Sequence, residues 1–476
     1  MNSRTKWSYC VGATGRDAAY ALVSMFLMLY VQYTMKLTTA QYATISACMV
    51  VCMVWDAVND LLMGIIIENT HMKLGKFRPW ILIGCLLNAV VIICLFTVRP
   101  SGWGFVVFFV ISYLLWGMTY TMNDIAYWGM LPALTSDAKG RNTLASLMSV
   151  FVCIGQFSVA GIVPTIVAGN AVNSYRIVAL VVALGFVAFQ MLTFFGVTEA
   201  PRKDNGDKLS LKDIAKIFAR NDQLVHAGIA CLLFNVGNNI LIVFGVNFFY
   251  VEFGYSDSGS LVFLFTVMYG IGNLISQSMF ALINRKFTRR QILRFIIIVI
   301  VTGYCLLFGF GYIIPKNVVL LNAIGFLIFF CQGLFNMTVV IMVNNTIEYD
   351  EYRFNERHDS VISAVRSFSV KLAGGINQGI LTLTLIISGI YSVSQGISSL
   401  ENEVAVNAIT SEEALEGANA LLSRVTAGQA MALRVGMFGV PIVAMLSAFL
   451  ILRFRYKIDE VEYNRLVEEL AKRNAE

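Results

Sequence analysis

Long apolar runs recur along the whole of this chain, and no other feature narrows its fold so far. The runs 79–98, 292–314 and 430–452 each approach the ~20 residues with which an α-helix crosses a ~30 Å hydrocarbon core. Twelve such spans are expected, at about 12–35, 40–66, 79–98, 103–130, 144–168, 175–197, 223–251, 257–284, 292–314, 317–345, 361–391 and 430–454. Charged residues make up only 13%, against roughly 25% in an ordinary soluble domain. The expectation is therefore an all-α membrane protein. The polar start, Met1 to Trp7, is not expected to be a cleavable leader, because no apolar stretch with a small-residue cleavage site precedes the first long span. The nine cysteines fall mostly inside apolar runs without metal spacing, and read as small hydrophobes.

Lysine and arginine alternate with the spans. Odd-numbered connections hold few, namely Lys36, Arg99, Arg176, Lys316 and Arg424. Even-numbered ones hold clusters, such as Lys73, Lys76 and Arg78, or Arg285, Lys286, Arg289, Arg290 and Arg294. Positive charge stays on the cytoplasmic side, so both termini are expected there, in a cell (inner or plasma) membrane. The longest basic connection, 198–222, then divides a six-helix half, 1–197, from a second, 223–454, followed by a tail, 455–476. Within that linker Ser210 and Asp213 form a capping pattern ahead of an amphipathic stretch, so a short surface helix is expected. Parallel six-span repeats place a solute site near the midplane, between the halves. The connection 392–429 is long and acidic (Glu401, Glu403, Glu412, Glu413, Glu416). Ser411 is the expected cap of a helix running to Leu422, in what otherwise reads as a passive outer loop, with a surface lid as the alternative.

Ionisable groups inside apolar spans carry the chemistry, because each is costly in hydrocarbon unless it faces a wet cavity or a partner. The first span carries Arg16 and Asp17. The second carries Asp56, Asn59 and Asp60, whose offsets of three and four put them on one helical face. The fourth carries Tyr120, Asp124 and Trp128, spaced by four, with Thr121 beside them, and the eleventh carries Arg366, Ser367 and Lys371. Two carboxylates, an amide and a hydroxyl make a hard, oxygen-rich set suited to a sodium ion, or to a proton on a carboxylate of raised pKa. Lys371 is the expected opposite charge. Trp128 beside Asp124 suits a pyranose, whose C–H face packs on indole while the acid accepts from its hydroxyls; helix-to-helix packing of the indole explains the spacing equally well. Enzyme chemistry finds no support: His71, His226 and His358 fall at span edges or in loops, and no nucleophile or metal-ligand motif is present. Nothing points to nucleic acid.

Several stretches resemble the glycoside–pentoside–hexuronide cation symporters of the major facilitator superfamily. They are Gly15-Arg-Asp17, then Trp55-Asp-Ala-Val-Asn-Asp60 with Gly75-Lys-Phe-Arg-Pro-Trp80, then Trp116-Gly-Met-Thr-Tyr-Thr-Met-Asn-Asp124 through Trp128 and Pro132. Asn221-Asp-Gln223, Glu348-Tyr-Asp-Glu-Tyr352 and Val370-Lys371 extend the likeness over nearly the whole chain. The resemblance implies symport of a glycoside or related sugar with Na+ or H+, Li+ also being admitted, and no resident cofactor. It implies that Asp17 and Asp124 hold sugar hydroxyls and that Trp128 stacks on the ring, with Arg16, Tyr120, Arg366 and Ser367 nearby. It implies a cation site at Asp56, Asn59, Asp60 and Thr121, with Lys371 coupling the two. Lys76, Arg78 and Arg141 become candidate gate residues. Departures are Leu61, where the family usually has proline, Ser149, where a member has arginine, and Arg366, where that member has glutamine. Arg366 either replaces the lost charge or reaches for the membrane surface. A hexuronide, another solute of the same carrier type, or export instead of import stays open.

Overall fold

The runs fold as helices because a backbone inside hydrocarbon must satisfy its own amides and carbonyls. The computed structural model describes residues 3–70, 72, 74–134, 138–197, 220–354 and 359–473. The elements are α1 (Ser3–Ala21), α2 (Leu27–Thr34), α3 (Thr39–Glu68), α4 (Arg78–Thr97), α5 (Trp103–Leu134), α6 (Ala138–Ile166), α7 (Ala171–Gly196), α8 (Asp222–Phe253) and α9 (Ser258–Lys286). They continue as α10 (Arg289–Phe308), α11 (Val318–Asn344), α12 (Thr346–Phe354), α13 (Asp359–Ser388), α14 (Ile390–Ala405), α15 (Ser411–Leu422), α16 (Ala427–Arg434), α17 (Val440–Phe454) and α18 (Glu460–Arg473).

Among the described residues, 11 helical stretches are long and apolar enough to cross a membrane. The twelfth expected span is the rod 3–34, where the π-helical turn Leu22–Phe26 joins α1 to α2. Its apolarity is diluted by Arg4, Lys6, Arg16 and Asp17. The linker 198–222 with its Ser210 cap lies almost wholly outside the described residues.

Two compact units emerge, and neither follows a single stretch of chain. The first comprises Met1–Asp204, Gly245–Thr266 and Leu381–Ala430; the second comprises Asn205–Phe244, Val267–Ile380 and Met431–Glu476. In the first, α1 lies against α6 and α7, and α5 against α3 and α4. Small residues allow it: a Cβ on Gly155 of α6 would stand 2.2 Å from the Thr14 carbonyl oxygen of α1, so the two backbones meet there. Buried amides then fix the axial register. Asn123 donates to the Ile81 carbonyl (2.9 Å) and to Gln190 Oε1 (3.2 Å), and Gln190 donates to the Gly12 carbonyl (2.9 Å). One polar chain thus links α4, α5, α7 and α1. In the second unit α10 packs on α11 and α17, and Tyr304 donates to the Gly237 carbonyl (3.3 Å) while accepting from Gln332 Nε2 (2.9 Å).

The connection 392–429 is no passive loop. It forms part of α14, then α15, and α14 packs against α2 and α7. Nor is Ser411 the cap: Thr410 caps α15 in a reciprocal box with Glu413, and Ser411 is the first helical residue. Glu401, expected on an acidic surface, is buried with 1% exposure. Burial pushes its carboxyl up from the ordinary glutamate range, while bonds from Ala171, Tyr255 and Gly169 pull back.

Candidate functional site

The buried register chain through Asn123 positions the next residue of α5, Asp124, against α1. There Arg16 stands between two acids. Its Nη2 lies 2.6 Å and its Nε 3.0 Å from Asp17 Oδ2, and its Nη1 lies 3.1 Å from Asp124 Oδ1. The guanidinium also sits 4.7 Å from the Tyr127 ring centroid and 5.4 Å from that of Trp128. Arg16 is 2% exposed, and its neighbour Asp17 scarcely more. Asp17 Oδ1 accepts from Gln156 Nε2 (3.3 Å), a residue the sequence reading did not select.

Accessibility divides this cluster. The Asp124 side chain is 34% exposed and Trp128 44% exposed, whereas Arg16 and Asp17 are sealed behind them. Tyr120, one turn before Asp124, stacks on Trp116 (5.7 Å) and meets Tyr20 at a tilt (5.2 Å). Trp116 in turn stacks on Tyr113 (5.4 Å). This ladder along α5 stiffens the wall next to the site.

The neighbouring face of α5 carries Thr121. Its hydroxyl lies 3.1 Å from Asp56 Oδ1 and 3.0 Å from Asp60 Oδ1, so the expected i, i+4 pair does converge. Gly117 makes room for the approach: a Cβ there would stand 3.3 Å from Asp56 Oδ1. Asn59 is buried, and its Nδ2 has no hydrogen-bond partner among the described residues. Thr121 and Asp124 are three residues apart, about 4.5 Å of helical rise. Two polar clusters therefore share one helix, one turn apart.

The remaining expected residues are placed individually. Arg78 donates through Nε to the Phe194 carbonyl (3.0 Å) and lies over the Phe194 ring (4.9 Å), tying the start of α4 to the end of α7. Lys76 lies 5.6 Å from the Phe77 ring centroid. Phe77 itself packs against Gly129, where a Cβ would stand 2.6 Å from its Cε1. The side chain of Arg141 lies outside the described residues, as does that of Leu61. Ser149 is exposed and donates to the Ala145 carbonyl of its own helix (2.9 Å). Arg366 and Ser367 are exposed on the part of α13 that belongs to the second unit, and Lys371 there is partly buried. Within the first unit, the positive charge between Asp17 and Asp124 is Arg16. Among the described residues no group of three or more His, Cys, Asp or Glu gathers as a metal-binding cluster.

Residues 8–460 match the family described as MFS/sugar transport protein. A raffinose carrier protein of Pediococcus pentosaceus is 25% identical, covering 97% of this chain and 70% of its own. A lactose permease of Lactobacillus helveticus is 26% identical over 80% of this chain and 62% of its own. A putative glycoside/cation symporter of Escherichia coli (strain K12) is 23% identical over 84% of this chain and 86% of its own. Among solved structures, a D-xylose–proton symporter superposes with a TM-score of 0.59 at 16% identity, covering 80% of this chain and 90% of that one. A bacterial homologue of the human lysosomal transporter Spinster gives 0.64 at 12%, over 95% and 97%.

Proposed function

The chain belongs to the MFS/sugar transport family, as a multi-pass membrane transporter and not an enzyme, and on that premise we propose that it carries a glycoside or related sugar together with a monovalent cation. The carrying observation is the pair of clusters on α5, with Asp124 and Trp128 open at one and Asp56, Asp60 and Thr121 converging at the other. The open carboxylate accepts from vicinal hydroxyls while the indole covers the apolar face of the ring. The two carboxylates and the hydroxyl of the second cluster take Na+ or, alternatively, one proton. Raffinose and lactose, named in the relatives, are the solutes to try first.

A neutral sugar fits better than a uronate. Arg16, the guanidinium nearest Asp124 and Trp128, is 2% exposed and already engaged by Asp17 and Asp124, so it is not offered to a substrate carboxylate. We further place both termini in the cytoplasm of a cell whose surface membrane holds the carrier, on the lysine and arginine asymmetry of the connections. The six-helix halves 1–197 and 223–454, joined by 198–222, would then rock about the site.

Uptake of radiolabelled raffinose and lactose into membrane vesicles, with imposed Na+ or proton gradients, tests the reading. Accumulation that follows one gradient is expected. Uptake indifferent to both gradients contradicts cation symport.

A further inference from the structure

The arm formed by α14 and α15 holds a buried carboxylate at one end of the first unit. Glu401 Oε1 accepts from the Gly169 amide (2.8 Å) and the Tyr255 hydroxyl (2.8 Å), and Oε2 accepts from the Ala171 amide (2.5 Å). It thereby ties α14 to the α6–α7 connection. The next residue extends the seam: Asn402 Nδ2 donates to the Thr34 carbonyl (2.7 Å), and its Oδ1 accepts from Arg99 (2.8 Å). Two turns earlier, Gln395 accepts from the Leu37 amide (3.0 Å) and donates to the Gln32 carbonyl (3.2 Å). Tyr391 donates to the Leu37 carbonyl (3.0 Å) and stacks on Tyr42 (4.5 Å).

We propose that α14 and α15 are a releasable clasp over this end of the carrier, with Glu401 as its bolt, which opens and recloses in each transport cycle. The inference rests on the transport reading above. Its physical basis is the kind of contact used. One side of the seam comes from residues 391–402, the other from residues 32–42, 99 and 169–171, far away in sequence. Most of the bonds end on backbone amides and carbonyls of the second side. Each of these bonds can be replaced by one to water when the seam parts, so the seam is specific in register and yet separable. Glu401 is the costly member, because its charge-assisted bonds are what offset its burial. Above it, Leu415 of α15 rests on Gly169, whose φ of +81° suits glycine.

Two measurements on the full-length protein decide the matter. In Glu401→Gln the amide NH2 must face the backbone N–H of either Gly169 or Ala171, donor against donor. Amide hydrogen exchange over 168–172 is expected to quicken by about tenfold or more in this variant. Unchanged exchange overturns the bolt. This readout needs no transported solute, so it stands even if the transport reading fails. The second measurement asks whether the clasp moves. A Cβ on Gly169 would lie 2.9 Å from Leu415 Cγ, which suits a disulfide between Gly169→Cys and Leu415→Cys. Lactose or raffinose uptake by the oxidised pair is expected to fall below about one-tenth of that of the same protein reduced, with recovery on adding dithiothreitol. Full uptake with the cross-link in place overturns the clasp; the reduced pair, which carries the same strain of a cysteine on the left-handed backbone at 169, is the control. Wild-type protein that takes up neither sugar overturns these two substrates, and the exchange measurement then decides the bolt by itself.

Discussion

Two clusters of acids meet α5 one turn apart, and what lies between the acids differs. Between Asp17 and Asp124 stands a guanidinium, within 2.6 Å of one and 3.1 Å of the other. Between Asp56 and Asp60 stands a hydroxyl, at 3.1 Å and 3.0 Å. A guanidinium offers five N–H donors and a permanent charge; a hydroxyl has one proton to give, to one acid at a time, and a lone pair left over. The first cluster carries its own cation and suits a neutral, hydroxyl-rich solute. The second presents oxygens that a small cation can join.

The comparison is broken most severely by removing the guanidinium. Arg16→Gln leaves two acids facing each other without it, and should cost about 3–5 kcal/mol of stability. Thermal unfolding of the purified protein checks this; an unshifted transition would mean the acids are balanced elsewhere. Asp60→Asn should abolish gradient-driven accumulation, a loss of at least about tenfold, or ~1.4 kcal/mol. Exchange of labelled for unlabelled sugar without a gradient should persist at saturating sugar, because the first cluster is untouched and only its coupling to the cation is lost. Loss of both activities together would erase the distinction between the clusters. Trp128→Ala should weaken sugar binding by about 2- to 12-fold, the ~0.5–1.5 kcal/mol of an aromatic contact, and leave cation binding in place. The smallest expected effect is that of Gly117→Ala. Its methyl presses on Asp56 Oδ1 at 3.3 Å and should alter cation affinity a few-fold without changing sugar affinity in the absence of cation.

Much of this architecture was legible in the sequence. Apolar run length located the spans, because hydrocarbon thickness and helical rise leave little freedom. The i, i+4 spacing of Asp56 and Asp60 foretold their convergence, since local geometry decides it. Contacts between residues far apart in sequence were not legible. Arg16 lies between Asp17 and Asp124, and its reach to an acid 108 positions away is a contact that spacing along the chain does not give. Gln156 reaches Asp17 only because Gly155 lets two backbones meet, and nothing in periodicity signals that. Glu401 looked like one more acid of a solvated loop, and its burial depends on partners more than 140 positions away. The cap of α15 was missed by a single residue, because Thr410 and Ser411 are both competent caps and the reciprocal bond from Glu413 selects Thr410.

The central claim is that the two clusters are coupled, so that cation and sugar each raise the other's affinity. The most direct measurement is an equilibrium titration of purified protein with lactose or raffinose, with and without Na+ and over a range of pH. The account predicts that the coupling cation tightens sugar binding by about 5- to 150-fold, and that sugar tightens cation binding by the same factor. Sugar affinity that is identical whatever the Na+ concentration and pH would contradict it.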